Sequence, residues 1–207
     1  MIQTIIPTDK NHWLAMRREV ITSTEVACLF DLSPWLSHFE LWHRKRDKIE
    51  VEFEPNDRVT WGLRLEKSVA EGVAEDQKWE IRKADEFIYD DAIRLGCSLD
   101  YMIDPDGILE IKCTDFLQFR DKWVMGDSGV TDMPLHIECQ VQTQLLVSGR
   151  KFVWVAVLVS GNKIELVKRL PDPEIHSAIK NRVDLFWKSI EQNEPPTPNF
   201  ERDAKFI

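Results

Sequence analysis

The sequence predicts an α/β fold, one layered domain in which a central mixed β-sheet is flanked by helices. Three observations carry that prediction. Residues 152–159 form an unbroken apolar run, Phe152-Val153-Trp154-Val155-Ala156-Val157-Leu158-Val159, with the length and β-branched content of a buried strand. Residues 99–113 place apolar-rich segments on both sides of Asp104-Pro105-Asp106-Gly107, the pattern of a β-hairpin. Helix-start signals stand before and after these strands, at Thr22, Ser37, Asn56 and Asp172.

Each element has a local reason. Thr22-Ser23-Thr24-Glu25 reads as a capping box, so a helix is expected through about Leu32. Ser37-His38-Phe39-Glu40 repeats the signal and opens a helix through about Arg46. A charged loop at 48–55 leads to Asn56 or Asp57 as the next cap. The helix beyond runs to about Asp76, with Val59, Leu63, Val69 and Val73 near helical spacing. Residues 81–89 read as an edge strand, and 93–103 with 108–113 as the two arms of the hairpin. A helix over 134–148 turns Ile137, Val141 and Leu145 inward. The apolar run at 152–159 is a central strand, and Gly161-Asn162 turns it into a partner at 163–168. Asp172-Pro173, a cap followed by proline at the first helical position, opens a helix through about Gln192. Glu194-Pro195-Pro196-Thr197-Pro198 ends it and leaves a loose tail over 193–207. The whole is read as a single domain, 1–207, with its core at about 10–192.

Bulk composition excludes several classes. With 207 residues, 43% hydrophobic and 30% charged, the chain is globular and long enough for a substantial core. No apolar run reaches the roughly 18 residues of a membrane span, and no basic region precedes an apolar stretch at the N-terminus. A soluble, cytoplasmic protein is expected. Cys28, Cys97, Cys113 and Cys139 form no CxxC pair and read as buried free thiols. The net charge of −9 argues against a generic nucleic-acid coat, although metal ions can neutralise acids at a site. Basic residues cluster at Arg17-Arg18 and Arg44-Lys45-Arg46. His12, His38, His43 and His176 lack metal-ligand spacing, and no phosphate-binding glycine loop or GxSxG elbow is present. Trp13, Trp35 and Trp42 suit either core packing or stacking on bases.

The hairpin carries the chemistry. Asp104-Pro105-Asp106-Gly107 suits a type I turn with Gly107 in the left-handed position, hence a three-residue loop with a G1 bulge. That register sets Asp104 opposite Ile108, Met102 opposite Glu110 and Asp100 opposite Lys112. Asp100, Glu110 and Lys112 then share one face, and Leu99, Tyr101, Ile103, Leu109, Ile111 and Cys113 share the other. Two acids and a lysine on one face suit a metal-binding, water-activating site. A surface hairpin with a Glu–Lys pair and a solvated aspartate fits the same residues. Glu66, four residues after Gly62, is placed by its helix either toward this hairpin or into solvent. Gly62 is read there as allowing close backbone approach. His136, Gln140 and Gln144 form an uncharged stripe that suits a water, a phosphate or a carboxylate, or an ordinary polar face.

Taken together, these motifs resemble the YqaJ-like viral recombinase family, which includes phage lambda exonuclease and belongs to the PD-(D/E)xK nuclease superfamily. The markers run in order over about residues 10–192: Trp13-x3-Arg17, Val20-Ile21-Thr22-Ser23-Thr24-Glu25-Val26, Trp61-Gly62-x3-Glu66, Ser98-Leu99-Asp100, Leu109-Glu110-Ile111-Lys112-Cys113 and Gln140-Val141-Gln142. The proline–aspartate pair of the superfamily name is absent, since Asp100 follows Leu99.

The resemblance implies a PD-(D/E)xK core and a role for each matching residue. Asp100, Glu110, the Ile111 carbonyl and Glu66 would hold two Mg2+ ions, with Mn2+ a substitute. Lys112 would deprotonate or orient the attacking water, and Gln140 would position water or the scissile phosphate. Arg17 and Thr24 match positions that hold a 5′ phosphate; Thr24 replaces the lambda enzyme's serine and keeps the hydroxyl. The implied activity is 5′→3′ digestion of one strand of linear double-stranded DNA to mononucleotides. The remaining 3′ strand would pass to a single-strand annealing protein for recombination. A homotrimer acting on DNA ends, encoded by a phage or prophage, is implied as well. An endonuclease or nickase on the same core, and a non-catalytic DNA-binding module, are the competing readings.

Overall fold

The computed structural model of the chain describes residues 1–49, 54–127, 129–204 and 206. Residues 50–53 of the charged loop expected at 48–55 lie outside them.

Two sheets and their helices build the molecule. Strand β1 (Ile2–Ile5) precedes helix α1 (Lys10–Glu19), whose cap Asp9 accepts from the His12 amide. Strand β2 (Ile21–Thr22) leads into a short 3-10 helix, Val26–Phe30. Helices α2 (His38–Arg46) and α3 (Asp57–Gln77) are capped by Ser37 and Asn56, as their sequences predict. Strands β3 (Ile81–Lys83), β4 (Phe87–Asp90), β5 (Leu95–Ser98), β6 (Tyr101–Ile103) and β7 (Gly107–Thr114) follow. Helix α4 (Phe116–Lys122) and a small β8 (Val124–Gly126), β9 (Gly129–Asp132) pair come next. Helix α5 (Leu135–Ser148), strands β10 (Phe152–Val159) and β11 (Lys163–Arg169), and helix α6 (Pro173–Gln192) complete the core.

The larger sheet has the order β11-β10-β7-β6-β3, and the smaller β1-β4-β5-β2. The larger sheet is mixed, because β10 runs parallel to β7 and antiparallel to β11. Helix α3 covers one of its faces, burying Val69, Ala70 and Val73 with Tyr101, Ile103, Leu109 and Ile111. Helices α5 and α6 build the other core with β5, β10 and the 3-10 segment.

Four sequence expectations are corrected. The helix expected from Thr22 is a short 3-10 turn. Thr22 lies in β2, and Glu25 completes only half of a capping box, accepting from the Thr22 amide at 2.9 Å. The single strand expected at 81–89 is two strands, one in each sheet, and 93–103 is likewise divided at Leu99-Asp100. Alternation shows which faces are apolar but cannot show where a chain passes from one sheet to another. In the hairpin, Ile103 pairs Gly107 and Tyr101 pairs Leu109, so Asp100 stands level with Glu110, not Lys112. The loop is Asp104-Pro105-Asp106 with a cis Asp104–Pro105 bond, and Gly107 sits in β7 without a positive φ, so there is no G1 bulge. Gly107 is required by proximity instead: a Cβ there would lie 2.3 Å from the Phe152 ring. The tail expected to be loose is held down at its described residues 200–203. Residues Phe200–Asp203 form a helical turn, Asp203 is buried, and Arg202 donates to the Ser33 carbonyl at 2.7 Å.

Gly96 in β5 shows how tightly the smaller sheet is packed. A Cβ there would meet Phe87 Cζ at 2.8 Å and Val20 Cγ2 at 3.0 Å, both on buried side chains. Gly96→Ala is expected to destabilise by about 1–3 kcal/mol, the usual cost of overpacking. Urea unfolding measures it; an unchanged midpoint would show that this wall yields.

Candidate active site

The break between β5 and β6 positions the first acid. Asp100 follows Ser98 and Leu99 at the point where the chain changes sheets, and its carbonyl accepts from the Ala84 amide at 3.1 Å. Its carboxylate turns to β7, where Oδ2 accepts from the Ile111 amide at 2.9 Å. Oδ1 has no hydrogen-bond partner among the described residues. Along a strand, the N–H and C=O of one residue point to the same edge. The Ile111 carbonyl therefore opens on the Asp100 side, beyond the Tyr101–Leu109 pair where β6 begins.

Glu110 is 2% exposed and its carboxylate is held at both ends. Oε1 accepts from Lys112 Nζ at 2.5 Å and from Gln140 Nε2 at 2.6 Å, and Oε2 accepts from Gln144 Nε2 at 2.7 Å. Lys112 also reaches Gln140 Oε1 at 3.2 Å. The strand period brings Glu110 and Lys112 to one face, and the helical period of α5 brings Gln140 and Gln144 over it. Of the uses open to the glutamine stripe, the structure shows a carboxylate.

The electrostatics follow from this enclosure. Burial and then the Glu110 charge push the Asp100 carboxyl up to about 7. Burial works against the Lys112 ammonium, but Glu110 and Asp100 together outweigh it and raise its pKa. Lys112 thus carries a proton at neutral pH.

Glu66 approaches from α3 and forms an ion pair with Lys83 of β3, and its charge is felt at Asp100 and Lys112. The close approach expected at Gly62 is absent, since a Cβ there meets nothing within 4 Å. Among the described residues, no three Asp, Glu, His or Cys side chains converge as a ready-made metal cage. The donors that do converge are two carboxylates, one with a free oxygen, and a backbone carbonyl. These hard oxygen ligands fit Mg2+ or Mn2+, which retain water beside few protein ligands.

Arg17 and Thr24 meet in a second cluster. Arg17 Nη2 lies 3.4 Å from both Thr22 Oγ1 and Thr24 Oγ1, and its guanidinium sits 4.4 Å from the centre of the Trp13 ring. Below them Lys45, buried, pairs with Glu25 at 2.8 Å and donates to the Arg17 and Val20 carbonyls at 2.7 Å each. Trp13 Nε1 donates to Ser98 Oγ at 3.0 Å, and the Ser98 carbonyl accepts from Gln144 at 3.2 Å. One residue of β5 thereby links the two clusters.

A model of the YqaJ-like viral recombinase domain matches residues 12–151. The chain belongs to this family. The uncharacterized protein YqaJ of Bacillus subtilis (strain 168) is 27% identical over 188 residues, 86% of this chain and 55% of that protein. The chain thus spans about half the length of that curated relative. Among solved structures, the alkaline exonuclease LHK-Exo of Laribacter hongkongensis superposes with a TM-score of 0.71 at 18% identity, over 89% of this chain and 94% of that one. LHK-Exo in complex with dAMP gives 0.70 at 17% identity, over 96% and 100%. This family member has the alkaline-exonuclease fold of PD-(D/E)xK type.

Sequence reasoning assigned no role to Lys83, and it placed Lys45 only in a basic cluster, Ser98 only in a family marker and Gln144 only on the glutamine stripe. Lys83 and Lys45 carry no local signal, because their partners lie on elements brought together only by topology. Gln144 stands on the stripe with Gln140, and that spacing is the signal that finds it. The other aromatic and thiol readings divide. Trp42 is core, Trp35 is exposed and Trp13 stands at the second cluster; all four cysteines are free, but Cys113, near the end of β7, is only partly buried.

Proposed function

We propose that this family member, read as a single domain over 1–207, is a metal-dependent 5′→3′ exonuclease. It digests one strand of linear duplex DNA to mononucleotides and leaves a 3′ single strand for recombination by annealing. The observation that carries this is the convergence of Asp100, Glu110, Lys112 and Gln140, with the Arg17–Thr24 cluster tied to them through Ser98. LHK-Exo is known with dAMP, a nucleotide of the product class this reading requires.

Asp100, Glu110 and the Ile111 carbonyl would hold the cation, with Glu66 completing a second position once released from Lys83. Bound there, Mg2+ or Mn2+ supplies a sharpened water nucleophile and charge neutralisation at the scissile phosphate. Lys112, held charged, orients the attacking water by donation and does not act as the base. Gln140 fixes the Lys112 ammonium by accepting from it and positions water or phosphate at the same point. Water attacks phosphorus and the P–O3′ bond breaks. The leaving 5′-mononucleotide takes the 3′ oxygen, and the next residue keeps a 5′ phosphate. Arg17 and the Thr22 and Thr24 hydroxyls are suited to that phosphate, because guanidinium forks match phosphate oxygens. Assembly as a homotrimer, delivery of the 3′ strand to a single-strand annealing protein, and a cytoplasmic phage or prophage setting complete the proposal. Among the described residues, no helix is long and apolar enough to cross a membrane.

Duplexes labelled at the 5′ or the 3′ end of one strand test the polarity. Early release of the 5′ label as mononucleotide is expected, and early release of the 3′ label contradicts it. Arg17→Ala is expected to slow digestion of 5′-phosphorylated ends about 10–100-fold while leaving the slower hydroxyl ends nearly unchanged, since one charge-assisted contact contributes about 1.5–3 kcal/mol. Equal loss on both substrates would place Arg17 outside end recognition.

A further inference from the structure

Gln144 is not among the groups that act on substrate in the scheme above, yet it is among the most enclosed polar side chains at the site. It is 0% exposed. Its Nε2 donates to Glu110 Oε2 at 2.7 Å and to the Ser98 carbonyl at 3.2 Å, and its buried Oε1 has no partner among the described residues. Burying an amide with an unmet acceptor is unfavourable, so the site keeps Gln144 at a cost to stability. Its other end identifies what it does. Glu110 Oε1 is fixed by Lys112 and Gln140, both of which face the reaction, whereas Oε2 is fixed by Gln144 alone among the described residues. A carboxylate hinged on one oxygen rotates; one gripped at both has a set plane. Outer partners of this kind orient ligating carboxylates and tune cation affinity. Ser98 extends the grip, because the residue that accepts from Gln144 also accepts from Trp13 beside Arg17.

We infer that Gln144 is a positioning residue that sets the plane of the Glu110 carboxylate, so that divalent-cation affinity is governed from α5 through an amide that never touches cation or DNA. This rests on the nuclease reading above, and it predicts an effect on the cation before any chemistry.

The test uses the full chain without DNA. Mn2+ is titrated calorimetrically into the wild-type protein, Gln144→Met and Gln144→Asn. Methionine keeps the volume without the donor; asparagine keeps a buried amide one methylene short of Glu110. Both variants are expected to bind Mn2+ about 10–100-fold more weakly, the usual effect of losing an outer partner. The Mn2+ concentration for half-maximal digestion of linear duplex should rise in parallel, while metal-free affinity for the duplex stays unchanged. Should Gln144→Met fail to fold, Gln144→Asn decides alone. Wild-type Mn2+ affinity in a folded variant overturns the role of Gln144 and leaves the nuclease reading standing. Absence of Mn2+ binding in the wild-type protein overturns that reading, and this one with it.

Discussion

Lys112→Ala is expected to fold, to bind duplex DNA and to lose about 10^2–10^3-fold in turnover, the usual cost of removing one preorganised hydrogen-bond donor. The loss has two sources. The ammonium that orients water disappears, and Gln140 loses the partner of its Oε1. The variant should still fold, because Glu110 keeps the amides of Gln140 and Gln144. Breaking a largely buried ion pair still weakens the metal-free protein, by about 1–3 kcal/mol where such hydrogen bonds remain. Since Glu110 and Asp100 hold Lys112 protonated, raising the pH should not restore the rate. Near-normal turnover in folded Lys112→Ala would remove the lysine from the chemistry.

Asp100→Asn should abolish Mg2+-dependent activity and, without metal, stabilise the protein. Burial beside Glu110 raises the Asp100 carboxyl from 3.8 to about 7, so between those values the folded state binds more protons than the unfolded state. Stability contributed by the protonated form is therefore full below about pH 4, falls as pH rises through 7, and is flat above. Asparagine cannot ionise and escapes this fall. Because the carboxylate is partly open to solvent, the gain at pH 8 is set at about 1–3 kcal/mol, or roughly 2–10 °C in Tm. It should shrink toward zero near pH 4. Addition of Mg2+ should raise the Tm of the wild-type protein and not that of the variant. Thermal melts at pH 4 and pH 8, with metal and with chelator, measure all of this. A variant less stable than wild type at pH 8 without metal would show that Asp100 is held for structure.

These two positions mark what was legible in the sequence. That Asp100, Glu110 and Lys112 share a face follows from a period of two, and it survived an error of two residues in the pairing register, because such a slip preserves the face. The helices capped by Ser37, Asn56 and Asp172 stand where their side chains can meet free amides. The elements misread are those decided at a distance. Thr22 is drawn into β2 by its pairing with Gly96, which overrides a capping signal. The division of 81–103 between two sheets depends on β1 and β2 flanking β4 and β5, which no local pattern records. The same limit hid Lys83 behind Glu66 and Lys45 beneath Arg17. Gln144 was visible as a position on a stripe, but its meaning required knowing that the stripe lies over Glu110.

The central claim is an end-dependent, metal-dependent nuclease centred on β7. Its most direct test is incubation of the protein with linear duplex DNA carrying 5′ phosphates, in Mg2+ or in chelator, beside Lys112→Ala and a covalently closed circular duplex. The expected result is Mg2+-dependent release of mononucleotides from the linear duplex alone, absent in the variant. Cutting of the circle would contradict end dependence in favour of an endonuclease, and no cutting of either substrate would contradict catalysis and leave a DNA-binding module.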